Sequence, residues 1–513
     1  MTAASNSSNK RIALNTVYLY IRMGILMLVK LYTSRVLLQT LGVDNYGAWI
    51  AVASFIVVFS FIGSPLVTAT QRFLNYEMGI RGERLRHIFC TSLLIFVFAA
   101  IVLVLILESL GLWFINSEMT YGNASLGQVN ILYQFSVVTL VVNLIRLPYE
   151  AVIIANEKMS FYAKISVVEG VLLLLSVFVL KLAGINSRLA LYGGLCSISQ
   201  SIIFLCYLFY CKKRFEYVKA GLIFNKNLAK QIGAFSGWNF FGAMASMSAV
   251  QGVNIIINIF YGVVFNATFG IANQVRAAVG AIVDNLQKAS NPQIVKSYAA
   301  NERDRVIGLV TNVGKFSFLL VFMISVPVML NMKYLLHLWL GNKIPPEAVE
   351  FCNLALIQHL FVCFSAPMDT AVFATGKIRN YQLTLSAIIL LNIVLTYMAF
   401  RFGYSPIYAM YVKVIVEALV LLARIIFLKY KIGLSLINYL RQMILPCAII
   451  IILSLMTIYI GSIVFTFSLS PFLQLLLSFG SFVIICLIYS WAFAFSKPQR
   501  KQAFSVIRSK LNI

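Results

Sequence analysis

The sequence is short of acid. Its 513 residues hold only 16 Asp and Glu against 41 Lys and Arg, and charged residues of either sign make up 11% of the chain. With 61% hydrophobic residues and a mean hydropathy of +0.89, it is too apolar for a water-soluble protein of this length and is an integral membrane protein. Its three histidines, His87, His337 and His359, stand far apart and give no metal-ligand spacing. Eight cysteines (Cys90, Cys196, Cys206, Cys211, Cys352, Cys363, Cys447 and Cys486) include no CxxC, so neither a disulfide framework nor a zinc site is expected. There is no Gly-rich phosphate loop after a strand and no nucleophile elbow, which argues against ATP hydrolysis. Any transport would draw on an ion gradient, a membrane potential or the gradient of the cargo. The outer loops are short and the first offers only Asp44, which disfavours a membrane glycosyltransferase or polymerase working through outer-loop carboxylates.

What the chain has in abundance is apolar runs. A span needs about 20 apolar residues to cross about 30 Å of hydrocarbon. The pattern predicts an all-α membrane protein of about 14 transmembrane helices, at 13–38, 46–68, 88–110, 129–149, 165–183, 189–210, 231–260, 267–289, 306–330, 349–372, 383–400, 407–428, 443–465 and 473–495. The basic stretch "CKKRFEYVKAGLIFNKNLAK" divides the first twelve into six and six. The expected organisation is therefore a tail at 1–12, an N-lobe at 13–210, a linker at 211–230, a C-lobe at 231–428, two extra helices at 429–495 and a basic tail at 496–513. An even shift of six helices gives both lobes the same orientation, as in a parallel pseudo-repeat with a cavity between its halves. A shift of 220 residues superposes Gly42-Val43 on Gly262-Val263 and Ala69 on Ala289.

The net charge of +25 is a topology signal and not a nucleic-acid footprint. Most of the cations fall in the loops on one side, while the opposite loops hold only Lys181, Arg188, Lys333, Lys343 and Arg401. Positive loops stay cytoplasmic, so both termini are expected inside, against an anionic leaflet of membrane lipids. The polar opening "MTAASNSSNKR" lacks a small-residue cleavage site, so the first span reads as uncleaved.

A lone charge in mid-span costs roughly 2.5–3.5 kcal/mol on insertion scales. Arg146 with Glu150, Asp284 with Lys288 and Lys413 with Glu417 have i, i+4 partners, and Arg424 is near enough to a helix end to snorkel. Arg22, Lys30, Arg35, Arg276, Lys315, Glu169 and Asp369 lack a partner in their own helix. At 100° per residue, Asn15, Tyr18, Arg22 and Thr33 fall within about 60° on the first helix, and Asn266, Asn273, Arg276, Asp284 and Gln287 within about 80° on the eighth. Two polar, net cationic stripes suit a wet cavity for an anionic cargo; the alternative is cross-pairing with Glu169 and Asp369 for packing alone.

The stretches "NTVYLYIRMGILMLVKLYTSRVLLQTLGVDNYGAW" (15–49), "ATQRFLNYEMG" (69–79), "LPYEAVIIANEKMSFYAKISVVEG" (147–170), "FSGWNFFGAMA" (235–245) and "NPQIVKSYA" (291–299) resemble the polysaccharide transporter, or O-antigen flippase, family. That family belongs to the multidrug/oligosaccharidyl-lipid/polysaccharide exporter superfamily. The resemblance covers the first twelve helices and weakens over the last two. It implies two six-helix lobes around a cavity that opens alternately to each side, in the bacterial inner membrane. The implied cargo is an undecaprenyl-pyrophosphate-linked oligosaccharide, with polysaccharide polymerase and glycosyltransferases as partners, and no cofactor beyond a proton or sodium as coupling ion. By place in the helix, Arg22 and Arg276 match the family's cavity arginines, with Lys30 and Arg35 as weaker matches; Tyr18, Asn15 and Asn273 would contact the sugar or pyrophosphate. Multidrug members carry cavity acids instead, so Asp369, Asp284 and Glu169 are the candidates for ion coupling.

Overall fold

The computed structural model describes residues 2–117, 125–182, 184, 187–219, 223–341, 344–464, 470–495 and 500. At 2–14, 30, 31, 34, 35, 38, 43, 44, 54, 57, 58, 60, 263 and 461–464 only the backbone is described. Among these residues there is helix and no strand. The long elements are α1 (Thr2–Ser60), α2 (Gly63–Gly79), α3 (Leu85–Ser117), α4 (Leu126–Ala155), α5 (Met159–Leu180) and α6 (Arg188–Arg214). They are followed by α7 (Lys226–Ala299), α8 (Arg303–Leu330), the short α9 (Met332–Leu340), α10 (Ala348–Ala374), α11 (Arg379–Arg401), α12 (Tyr408–Ile432), α13 (Leu445–Val464) and α14 (Pro471–Tyr489). Within the described residues, each of the fourteen expected spans falls on helix, the second of them across the end of α1 and the start of α2.

Ten helices among the described residues are long and apolar enough to cross a membrane. Four of the fourteen expected spans are not among the ten: the first, of which Asn15–Val29 is a shorter apolar stretch, the second, and the eighth and twelfth, which carry Arg276, Asp284 and Lys288, and Lys413, Glu417 and Arg424. Apolar side chains stand outward on the others, with Leu105 66% and Ile484 59% exposed, as a lipid-facing surface requires.

The molecule forms two compact units: Met1–Phe240 with Val295–Ala300, here the N-lobe, and Phe241–Ile294 with Asn301–Ile513, here the C-lobe. Within the N-lobe α4 packs along α6 and α1 along α5; within the C-lobe α10 packs along α12 and α8. In the C-lobe α14 docks on α8 through Phe322 and Phe482, whose rings are 5.4 Å apart. The buried Lys315 of α8 donates to the Ala494 carbonyl at 2.7 Å, in the π turn Ser490–Ala494 that follows α14. A carbonyl accepting that ammonium is the partner that Lys315 lacks within its own helix.

Backbone geometry repeats between the units. Both α1 and α7 break at a glycine, Gly42 with φ 78° and ψ 170° and Gly262 with φ 76° and ψ −172°. That region is open essentially to glycine alone. The two breaks are 220 residues apart, as are the left-handed residues Arg81 and Asn301 that precede α3 and α8. Ala69 and Ala289, in the same register, are both fully buried. Further along, the spacing becomes 219: α4 ends at Ala155 and α10 at Ala374, and each is followed after one residue by a positive φ, at Glu157 and Gly376.

Candidate functional site

At the 219-residue spacing the two lobes share a sequence motif. Pro148, Glu150, Ala155, Lys158 and Tyr162 correspond to Pro367, Asp369, Ala374, Lys377 and Tyr381. In both, a proline inside the helix removes one backbone hydrogen bond, an acid follows two residues later, and the tyrosine is set in the first turn of the next helix. Around each motif lies a buried polar cluster.

In the N-lobe, Arg146 of α4 reaches Glu169 of α5 at 3.5 Å, and Gln200 of α6 donates to the other carboxylate oxygen at 2.8 Å. The Arg146 guanidinium also lies over the Tyr207 ring, 5.5 Å from its centre. Glu169 therefore finds its partners across helices. Arg22 of α1 lies over the ring of Tyr162, 4.6 Å from the centroid, and its buried Nε has no hydrogen-bond partner. Of the polar stripe on α1, Tyr18 is 41% exposed and Arg22 half-buried, whereas Asn15 is buried. The side chains of Lys30 and Arg35 lie outside the described residues.

The C-lobe cluster is denser. Arg424 of α12 places Nε 2.9 Å from Asp369 Oδ1 and donates from Nη2 to Oδ2 at 3.0 Å. The Tyr381 hydroxyl donates to the same carboxylate, and Arg424 Nη1 donates to Ser365 Oγ. Glu417, two turns nearer the start of α12, lies 3.7 Å from Arg424 and accepts from Gln358 at 3.1 Å. Arg424 thus turns inward to two acids and does not snorkel, because a carboxylate fork inside the lobe satisfies its planar donors better than a distant interface.

Lys413 departs from the expected intrahelical pair with Glu417. Its ammonium donates to Asn273 Oδ1 at 3.0 Å and sits over the Phe269 ring at 5.0 Å. Asn273 in turn donates to the Phe269 carbonyl at 3.0 Å, one turn back on α7. Arg276, one turn further on, is half-buried with an unpartnered Nε. Asp284 is exposed and makes neither a hydrogen bond nor an ion pair among the described residues.

The structure thus brings Arg22 to the N-lobe cluster and Asn273, Arg276 and Asp369 to the C-lobe cluster, while Tyr18 and Asp284 stand on open faces. Sequence reasoning missed Tyr162, Tyr381, Ser365 and the Arg424–Asp369 pair; the signal was the repeated Pro-x-acid motif, which a rigid 220-residue shift steps past. Among the described residues no group of His, Cys, Asp and Glu could hold a metal ion. The C-lobe also has an open pocket of about 710 Å³ lined by Phe318, Phe322, Phe361, Phe364, Leu421 and Ile451 among others. Its lining is mostly apolar and holds no charged side chain.

No protein-family model matches the chain, and no curated protein matches it. Solved structures do. An outward-facing multidrug resistance MATE family transporter of the MOP superfamily superposes with a TM-score of 0.71 at 12% identity, covering 83% of this chain and 96% of that one. A MOP superfamily transporter from Pyrococcus furiosus gives the same TM-score, identity and coverage, and is described as having a binding pocket of reverse polarity that suggests a different function. A mutant Vibrio cholerae MATE transporter gives a TM-score of 0.69 at 16% identity, covering 84% and 99%. The chain has the MATE-like transporter fold.

Proposed function

We propose that this protein is a flippase that carries an undecaprenyl-pyrophosphate-linked oligosaccharide from the cytoplasmic to the periplasmic leaflet by alternating access. The observation that carries the reading is a pair of in-span arginines outside the ion pairs among the described residues: Arg22 rests on an aromatic ring, and Arg276 has no carboxylate within ion-pair distance, with Asp284 two turns away in electrostatic reach only. Such donors suit a pyrophosphate, which accepts several charge-assisted hydrogen bonds as it leaves water. The reverse-polarity pocket of the Pyrococcus furiosus protein supports the idea that this fold serves cargoes of more than one charge. On this reading glycosyltransferases supply the lipid-linked glycan, a polymerase consumes it, and both termini are cytoplasmic.

The acids support a second reading, export of small cationic amphiphiles coupled to protons or sodium, as does the multidrug resistance neighbour. Of the three candidates, Asp369 and Glu169 are engaged by arginines, which leaves Asp284 to couple. Complementation of a strain deleted for its repeat-unit flippase separates the two. The flippase reading expects wild type to restore surface polysaccharide and Arg22→Ala and Arg276→Ala to fail at matched membrane levels. Full activity of both variants would show the two arginines to be structural; export of a cationic amphiphile that Asp284→Asn abolishes and Arg22→Ala leaves nearly intact would establish the exporter instead.

A further inference from the structure

His359 of α10 is 5% exposed, and neither Nδ1 nor Nε2 has a hydrogen-bond partner. A neutral imidazole carries one donor and one acceptor, and leaving a buried polar group unpaired carries its full desolvation cost. The ring is accommodated by Gly280 of α7, where a Cβ would sit 3.1 Å from Cε1 and from Nε2. Arg276 lies one turn before Gly280 and within electrostatic reach of both His359 and Lys413. Lys413 is held by a neutral amide and a ring, which leaves two ammonium protons free.

The acids facing this group are Asp284, Glu417 and Asp369. Asp369 is engaged by Arg424 and Tyr381, and Glu417 by Arg424 and Gln358. Asp284 stands on an exposed face two turns from Arg276 and within its electrostatic reach, without an ion-pair contact. Three donors from three helices therefore converge without a directly paired carboxylate.

We propose that Arg276, Lys413 and His359 form a phosphoryl-anion site in the C-lobe, with Asn273 and Phe269 holding Lys413 in place. A tetrahedral oxyanion accepts from the guanidinium, the ammonium and the imidazole N–H at once, which is the partner His359 lacks. The assignment of that anion to a lipid-linked pyrophosphate rests on the flippase reading; the site itself does not.

The test is calorimetric titration of full-length protein in detergent with inorganic pyrophosphate and with farnesyl pyrophosphate. Wild type is expected to bind both. Lys413→Gln and His359→Gln should each weaken binding about tenfold, close to one hydrogen bond to a charged group, while Lys413→Arg stays within about threefold. Unchanged ligand-free melting shows that the variants fold; should Lys413→Gln melt early, His359→Gln and Lys413→Arg carry the test. Tighter binding of the farnesyl compound, lost in the same variants, supports a lipid-linked source, and equal affinities support the site with a free anion. Wild type that binds neither probe, or variants that bind as wild type, overturn the site. Variant-sensitive binding in a protein that fails complementation leaves the site standing and removes the flippase reading.

Discussion

In the N-lobe, Arg146 lies one turn before the motif acid Glu150 on the same helix and reaches Glu169 at 3.5 Å. In the C-lobe no arginine precedes Asp369 on α10; Arg424 comes from α12, meets Asp369 at 2.9 Å and draws in Tyr381, Ser365 and Glu417. The same motif thus serves two ends. Both clusters tie three helices together, but in the C-lobe the motif tyrosine donates into the ionic network, whereas in the N-lobe it is a ring beneath Arg22. A cation held by a ring keeps its charge available; one held by two carboxylates does not. On the flippase reading proposed above, that difference makes Arg22 the functional charge of the N-lobe and Arg424 an architectural one.

The comparison breaks most visibly if Arg424 is removed. Arg424→Met leaves the half-buried Asp369 and Glu417 without their cation, and breaking such a pair costs up to about 3–5 kcal/mol, the fully buried limit. The expected outcome is a large fall in the melting midpoint in detergent, partly restored when Asp369→Asn is added. A variant as stable as wild type would mean that water, and not Arg424, satisfies Asp369. Next in size is Tyr381→Phe, which deletes a hydrogen bond to a carboxylate worth about 1.5–3 kcal/mol and changes little else. Because Arg424 still covers Asp369, the expected loss is at the lower end of that range, read by the same melting assay.

The glycine breaks test whether the two lobes share a backbone design. An ideal Cβ meets nothing within 4 Å at Gly42 or Gly262, so Gly→Ala at either adds no clash and reports backbone strain alone. Each should cost about 1–3 kcal/mol. A loss at one position only would show that the repeat is shared in sequence spacing but not in mechanics.

Much of this design was legible in the sequence. Apolar run length located the helices because the bilayer fixes how long a span must be. The Gly42 and Gly262 register stood out because a glycine-only backbone leaves a mark on sequence. The clusters were hidden for two reasons. The register slips from 220 to 219 between the Ala69/Ala289 and Pro148/Pro367 positions, so a fixed shift misses the Pro-x-acid motif. And i, i+4 spacing says which side chains share a helix face but not which neighbouring helix offers a better partner: Lys413 turned to Asn273, and Glu417 turned to Gln358 and Arg424.

The smallest expected effect is the most specific to the comparison. If Tyr162 serves Arg22 through its ring, Tyr162→Phe keeps the face that the guanidinium covers and should move stability by less than about 0.5 kcal/mol. Tyr162→Leu removes the ring and should lose about 0.5–2 kcal/mol, the range of a cation–π contact between exposed and desolvated limits. Its C-lobe counterpart behaves in the opposite sense, because Tyr381 acts through its hydroxyl: there the Phe substitution already removes the contact to Asp369. Measuring all three variants by melting in the same detergent gives the ordering directly. Were Tyr162→Phe as harmful as Tyr381→Phe, the two motif tyrosines would be equivalent hydroxyl donors, Arg22 would rest on the ring only incidentally, and the distinction between an available and a neutralised arginine would collapse.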